Sequence, residues 1–473
     1  MLKFTQQWII LLAGLLLLAG MVFFRLTAYG PWGDSISTND TPSYLDTAHL
    51  PADSYTFFTA IRSASYPLLF NWLAPIDEYQ ITKISEPYFH AEGDLAFQPG
   101  FDRVVNLQMW VAVFSWAFLA VVFFARLRNP WARLAALLII LVFGFSPQMA
   151  DWDSLIMTES LSFSLFFLML GLLVELAFCF ITEVRWRKTR IWLILMTLAV
   201  ITPFWILLRD TNVYFIPFTL VFVAILAALA WRRWKETLAP LVVFTVLMVA
   251  AYIFQQATFR DSERWVVPFY NNVTRAIFPY PSRVEFFLRY GMPVNDTILS
   301  YQFSQQLEAL DPQSDFVIWT HQSALQAYMD FVISHPFSFI KMAWDDTPSL
   351  WTTNVQPYFF QADSGRPAWL IPYADYLHPT HPLPLAVDGV LVLLVLGFAL
   401  KQRRQDTLIW AWVALWLYGI SLLFYFTGYI GEMRSVLRHV MSGVVPLRLG
   451  LWLLLAVVAD LLWSRPAAGK KQT

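Results

Sequence analysis

Charged residues are scarce in this sequence. Asp, Glu, Lys and Arg make up 14% of its 473 residues, where a soluble domain carries about 25%. That is too little charge to clothe a water-soluble fold. The net charge of −1 removes any electrostatic case for nucleic acid. Cysteine is nearly absent: with Cys179 alone, no intramolecular disulfide can form, even where long loops face an oxidising compartment. Its place in an apolar run points to packing rather than reactivity. No internal repeat, low-complexity tract or Gly/Ser linker is present.

Apolar residues take the place of charge. The chain is 58% hydrophobic and 17% aromatic, with 22 tryptophans and 41 phenylalanines, as expected of aromatic belts at two membrane interfaces. A membrane span takes about 20 mostly apolar residues. Hydropathy places about ten, at roughly 8–24, 104–125, 134–146, 160–182, 191–208, 213–230, 238–254, 385–400, 407–426 and 441–463. The fold class expected is therefore an all-α integral membrane protein. The third span is short, and an irregular end is expected around Ser146-Pro147. The first resembles a signal peptide, but its long core and the lack of a small-x-small cleavage site favour an anchor.

The connections alternate in sign. Short basic linkers run from Arg126 to Arg133, Arg185 to Arg190, Trp231 to Glu236 and Lys401 to Arg404. With Lys3, Arg465, Lys470 and Lys471 they hold 17 of the 32 Lys and Arg, against three acids, Glu183, Glu236 and Asp406. The positive-inside rule puts them and both termini in the cytoplasm, most simply of a bacterial inner membrane. The other set, at about 25–103, 147–159, 209–212, 255–384 and 427–440, is acidic and holds all seven histidines, 49, 90, 321, 335, 378, 381 and 439. This divides the chain into an N-terminal membrane module with the first external loop (1–254), a large external loop (255–384) and C-terminal helices (385–473). Within the large loop, Ala324 to Pro336 has apolar residues near helical spacing. It reads either as a helix on the membrane surface or as one packed in the loop's own small core.

This topology excludes several functions. Cytoplasmic linkers of about six to eight residues have no glycine-rich phosphate loop and no room for a nucleotide fold. A pump would carry ionisable groups in mid-membrane, whereas Glu175 and Asp460 lie near cytoplasmic span ends and read as snorkelling or packing groups. Charge does gather at the outer ends of spans: Asp151, Asp153 and Glu159 at the fourth, Arg209-Asp210 at the fifth-to-sixth hairpin, and Glu432, Arg434, Arg438 and His439 in the last outer turn. Three distant parts of the sequence thus share the membrane level where a lipid phosphate is read.

On these residues the chain resembles the GT-C superfamily of membrane glycosyltransferases, which includes protein O-mannosyltransferases and the bacterial lipid A aminoarabinose transferase. The first loop carries Thr38-Asn39-Asp40-Thr41-Pro42-Ser43-Tyr44-Leu45, close to an acidic-x-x-x-Tyr pattern, and then Arg62-Ser63-Ala64-Ser65-Tyr66-Pro67. Thr158-Glu159-Ser160-Leu161 opens the fourth span, and Arg209 precedes the span containing Pro217. Arg438-His439 and Tyr328…His335-Pro336 resemble bacterial members. The chain departs from the pattern at Asn39, which precedes Asp40 where a second acid would complete a pair. The resemblance implies an inverting transfer of sugar from a polyprenyl-phosphate donor to a lipid, glycan or protein acceptor in the cell envelope. It implies Asp40 as base, with Asp151, Asp153 and Glu159 as further catalytic carboxylates. It implies Arg209 as phosphate partner, with Arg62, Arg438 and His439 as further substrate-binding groups. A divalent cation, Mg2+ or Mn2+, is a further stabiliser that such phosphate chemistry admits, with no protein metal site assigned.

Each residue also has a plainer reading. Asp40 sits where a turn or helix-cap aspartate is common. Asp151 and Asp153 can cap a helix, Glu159 suits the dipole of a first turn, and Arg209 can pair with Asp210 or Asp151. Arg434 and Arg438 can meet lipid headgroups. His378 and His381 have a metal-like spacing, but prolines argue for an extended loop. The competing functions are an O-antigen polymerase or ligase type of enzyme, which usually lacks a long structured loop after the first helix, and a non-catalytic membrane scaffold. Convergence of Asp40, the 151–159 carboxylates and Arg209 discriminates, because a scaffold has no reason to gather them.

Overall fold

The structure, a computed structural model, describes residues 2–29, 35–87, 97–182, 187–230, 234–359 and 366–463. His90, Glu183, Arg185, Arg232, Arg233, Arg465, Lys470 and Lys471, used above for the charge pattern, lie outside them. Among the described residues the chain is helical, and extended pairing is limited to two isolated parallel bridges, Ile36 with Leu155 and Thr38 with Ser85.

Among the described residues nine helices are long and apolar enough to cross a membrane, and a bent pair makes up to a tenth when it is counted as one span. In chain order they are α1 (Gln6–Thr27), α2 (Asp102–Arg126), α3 (Pro130–Phe145, bent by 48° into Pro147–Ser154), α4 (Glu159–Ile181), α5 (Arg187–Ile206), α6 (Asp210–Leu229), α7 (Leu238–Asp261), α8 (Leu383–Gln402), α9 (Gln405–Gly431) and α10 (Val436–Trp463). The ten expected spans are thus found in order, and α7 runs on beyond the expected end at 254. The bend in α3 falls at Ser146-Pro147, where proline has no N–H to give and its ring blocks the preceding turn.

The helix α4 is the hub. Leu161, Phe167, Met169, Leu173, Leu176 and Cys179 are all buried in a core built with α2, α5 and α9. Such all-round apolarity fits the centre of a membrane bundle. By contrast α1 and α7 turn most of their surface outward. Glycine permits a close backbone approach between α9 and α10. A Cβ on Gly428 would lie 2.6 Å from the His439 carbonyl oxygen, and one on Gly443 would lie 2.5 Å from that of Ser421. Only a residue without a side chain permits that approach.

At the short-linker face the charges pair with one another. Glu175 receives both the Nε (2.6 Å) and an Nη of Arg126. Asp406 meets Arg128 at 3.0 Å and Arg404 at 3.2 Å. Asp460 accepts the Arg128 backbone N–H at 2.8 Å, so Glu175 and Asp460 serve packing. At the opposite, long-loop face the segment 265–351 builds a second core from Phe269, Phe287, Phe316, Trp319, Phe331 and Phe339, seated on Tyr425, Tyr429, Val440 and Val444 of α9 and α10. The helix Leu325–Ser334 buries Ala327 and Phe331 in this core while Met329 and Ile333 stay exposed. It thus satisfies the loop-core reading on one face and leaves the other free.

Candidate functional site

The long-loop face is assembled from short polar ties. Ile36 N–H donates to the Ser154 carbonyl and Ile156 N–H to that of Ile36, each at 2.9 Å, fastening the first loop beside the α3–α4 turn. Thr41 Oγ1 donates to the Ile156 carbonyl at 3.2 Å. The helix Thr41–Ala48 starts there, with Pro42 preset in its first turn. Asp40 is its N-cap residue by position, yet its carboxylate makes no capping hydrogen bond. The plain cap reading therefore leaves that carboxylate unexplained.

Its partners come from elsewhere. Asp40 Oδ1 accepts from Arg62 Nη2 and Oδ2 from Arg438 Nη1, both at 2.6 Å. Arg62 also donates its Nε to Ser43 Oγ at 2.6 Å and lies over the Tyr44 ring, 4.9 Å from its centroid. Tyr44 is braced edge-on by Tyr66 at 5.0 Å, and Tyr66 donates to Gln108 at 2.7 Å. Arg438 Nη1 further donates to the Tyr358 hydroxyl at 3.2 Å. Its Nε stands 3.3 Å from Glu159 Oε1 without hydrogen-bond alignment.

Glu159 is the buried centre of the group. The same Oε1 takes Arg209 Nη1 at 3.3 Å, and Arg209 Nη2 meets His439 Nδ1 at 3.2 Å. A guanidinium can only donate, so His439 Nδ1 accepts, and a neutral ring then carries its proton on Nε2. That nitrogen lies 2.9 Å from Glu432 Oε2, poorly aligned, and Asn271 Nδ2 donates to the other Glu432 oxygen at 3.1 Å. Asn272 fixes this turn by donating to the carbonyls of Ile430 (2.9 Å) and Gly431 (3.2 Å) and accepting from Met433 N–H at 2.9 Å.

Six of the eight residues expected from the sequence thus form one continuous chain of contacts: Arg62, Asp40, Arg438, Glu159, Arg209 and His439. Asp151 and Asp153 belong to a different group. Asp153 receives Arg25 at 2.7 Å and Ser160 Oγ at 2.5 Å, and Asp151 faces Arg366 at 3.5 Å. All four charges are buried, and they pin the end of α1 and the 366 segment to the bent α3. Asp210 pairs with Arg264 at 3.2 Å and Gln255 at 2.6 Å, which leaves Arg209 to Glu159. Arg434 turns away to Glu308 at 3.6 Å. His378 is buried against the Phe143 ring, with Nε2 3.0 Å from Ser146 Oγ, while His381 is exposed. Sequence reasoning missed Ser43, Tyr44 and Tyr358. Tyr44 had a signal in the acidic-x-x-x-Tyr spacing, whereas Tyr358 had none.

The electrostatics favour anions at this spot. Burial raises the Asp40 carboxyl, but the Arg438 and Arg62 guanidiniums outweigh it and hold the group well below the usual carboxylate range. Glu432 is likewise lowered, burial being outweighed by His439 and Arg438. Burial pushes the Tyr44 phenol up to about 12. The first turns of α4, α10 and the Thr41–Ala48 helix all meet here, adding partial positive charge. The site is also partly open: the side chains of Asp40, Arg62 and Arg438 remain 19%, 28% and 20% exposed, against 2% for Glu159.

The donor set does not suit a preformed divalent cation site. Among the described residues no three His, Cys, Asp or Glu side chains converge as ligands, and guanidiniums already bridge the Asp40 and Glu159 carboxylates.

No family model and no curated protein sequence matches the chain. Among solved structures it is similar to the archaeal oligosaccharyltransferase AglB from Archaeoglobus fulgidus, in complex with an inhibitory peptide and a dolichol-phosphate. The TM-score is 0.41 and the identity 10%, over 94% of this chain and 50% of that one. The chain spans about half the length of that protein.

Proposed function

We propose that this chain is a membrane glycosyltransferase that passes a sugar from a polyprenyl-phosphate donor to an acceptor hydroxyl or amide on the non-cytoplasmic face. One observation carries the reading. Three guanidiniums and two carboxylates from four distant segments meet in a partly open cluster at the ends of the spans. That is the depth at which a lipid phosphate sits.

Each group has a task in such a transfer. Arg438, with Arg209 behind it, binds the phosphate, guanidinium being the side chain whose fork matches phosphate oxygens. Asp40 accepts the proton of the acceptor as its oxygen or nitrogen attacks the anomeric carbon. The bond from that carbon to the phosphate oxygen breaks, and its electron pair leaves on the polyprenyl phosphate, whose added negative charge the arginines stabilise. Glu159 holds Arg209 and Arg438 at a common height. His439 accepts from Arg209 and so fixes the direction of its fork. The large external loop, which touches the cluster through Tyr358 and Asn271, is the natural place for acceptor selection.

The test is sugar transfer by purified protein from a panel of synthetic polyprenyl-phosphate sugars, with Asp40→Asn alongside. Transfer by wild type and its loss in a folded variant is the expected result. Transfer that survives the substitution moves the base elsewhere. Absence of transfer across the panel by stable, monodisperse protein overturns the reading in favour of a polymerase-type enzyme or a scaffold.

A further inference from the structure

We infer that the donor phosphate and Asp40 compete for Arg438, so that donor binding itself uncovers the base and precedes productive acceptor binding. The inference rests on the glycosyl-transfer reading above and adds an order of events to it.

The resting site is blocked and balanced. Each Asp40 oxygen is held by a guanidinium at 2.6 Å, and an acceptor must come within about 2.6–3.2 Å of one of them to give up its proton. Three guanidiniums, Arg62, Arg209 and Arg438, are paired with two carboxylates, Asp40 and Glu159, while Glu432 lies against His439. No cation waits unpaired for an incoming phosphate. A phosphodiester entering here therefore competes with a carboxylate for the charge of whichever guanidinium it meets.

The three arginines are not equally held. Arg62 is fixed by Ser43 as well as Asp40 and lies on Tyr44. Arg209 is buried and spans Glu159 and His439. Arg438 divides one nitrogen, Nη1, between Asp40 and Tyr358, and its Nε has no aligned acceptor. Each arginine makes two hydrogen bonds, but both of those from Arg438 leave from one nitrogen, so a single turn of its fork, with its Nε still beside Glu159, frees it for phosphate. Once it has turned to phosphate, Arg62 still holds Oδ1 and aims Oδ2 at the vacated space. Asp40 also regains proton affinity, since one of the two cations that depressed it has gone.

A double-mutant cycle on binding tests this without knowledge of the sugar or acceptor. The probe is farnesyl methyl phosphate, a monoanionic prenyl phosphodiester, titrated into the purified full-length protein in nonionic micelles by tryptophan fluorescence. Asp40→Asn is expected to tighten binding at least tenfold, because Arg438 no longer has to be pulled from a carboxylate. In an Arg438→Gln background the same substitution should change affinity less than twofold. In an Arg62→Gln background the tenfold gain should persist, and this arm stands alone should Arg438→Gln not yield folded protein. An equal gain in the Arg438→Gln background would mean general charge repulsion and overturn the competition, leaving the donor reading intact. A gain lost with Arg62→Gln would make Arg62 the exchanging residue and equally overturn it. If neither wild type nor Asp40→Asn binds the probe, the phosphate-site reading falls and the inference with it.

Discussion

Removing the charge of Glu159 should expose how much of this site is held by one buried carboxylate. Glu159 is 2% exposed and has Arg209 and Arg438 each 3.3 Å from the same oxygen. At an effective dielectric of 20, one such pair is worth about 5 kcal/mol before desolvation. The two guanidiniums repel one another, and Arg438 keeps Asp40, so the cost falls mainly on Arg209. Breaking a buried pair by removing one partner typically costs about 3–5 kcal/mol, because the other charge is left without a counter-ion. Glu159→Gln should therefore lower the unfolding free energy by about 3 kcal/mol. The double variant Glu159→Gln with Arg209→Gln removes both charges and should recover most of that loss. Unfolding can be followed in mixed micelles with a thiol-reactive fluorophore, because Cys179, the lone cysteine, is fully buried. A single variant within about 1 kcal/mol of wild type, or a double variant as unstable as the sum of the singles, would refute the bridging role.

Other perturbations probe the neighbours. The folded Asp40 carboxyl titrates below its unfolded value, so its pairing stabilises the fold above about pH 4 and is lost as pH falls towards the folded value. The stability gap between wild type and Asp40→Asn should accordingly shrink on acidification from pH 6 to pH 3.5, and a constant gap would contradict the two-arginine pairing. Gly428→Ala would push on the His439 backbone, 2.6 Å from the added carbon. It should cost about 1–3 kcal/mol of stability and at least tenfold in transfer rate, whereas near-wild-type transfer would show that α10 can yield. Because no three metal-ligating side chains converge among the described residues, transfer in EDTA should stay within about twofold of the untreated rate. Loss restored by Mg2+ or Mn2+ would instead reveal a cation brought by the substrate phosphate.

The spans were readable because length, apolarity and alternating linker charge each constrain them separately. The break at Ser146-Pro147 was readable because proline acts locally. The site was readable only as a list of candidates. Asp40 and Arg438 are 398 positions apart, and their pairing depends on how the first loop is tied at Ile36 and how closely α9 and α10 approach. Asp151 and Asp153 show the converse. They are near neighbours of Glu159 in sequence, yet the turn over Asp151–Ser154 aims them at Arg25 and Arg366. Tyr358 lies in an irregular stretch with no periodicity. Gln356 shapes it locally by accepting from the Tyr358 and Phe359 N–H groups, a constraint that propensity does not describe.

The glycine contact between α9 and α10 bears on traffic through the bilayer. Where two helices touch backbone to backbone at Gly428 and again at Gly443, no acyl or isoprenoid chain can pass between them. On the proposed function, a donor with a polyprenyl tail would therefore reach Arg438 sideways through some other pair of helices, and cross-links that staple α9 to α10 should leave its entry untouched.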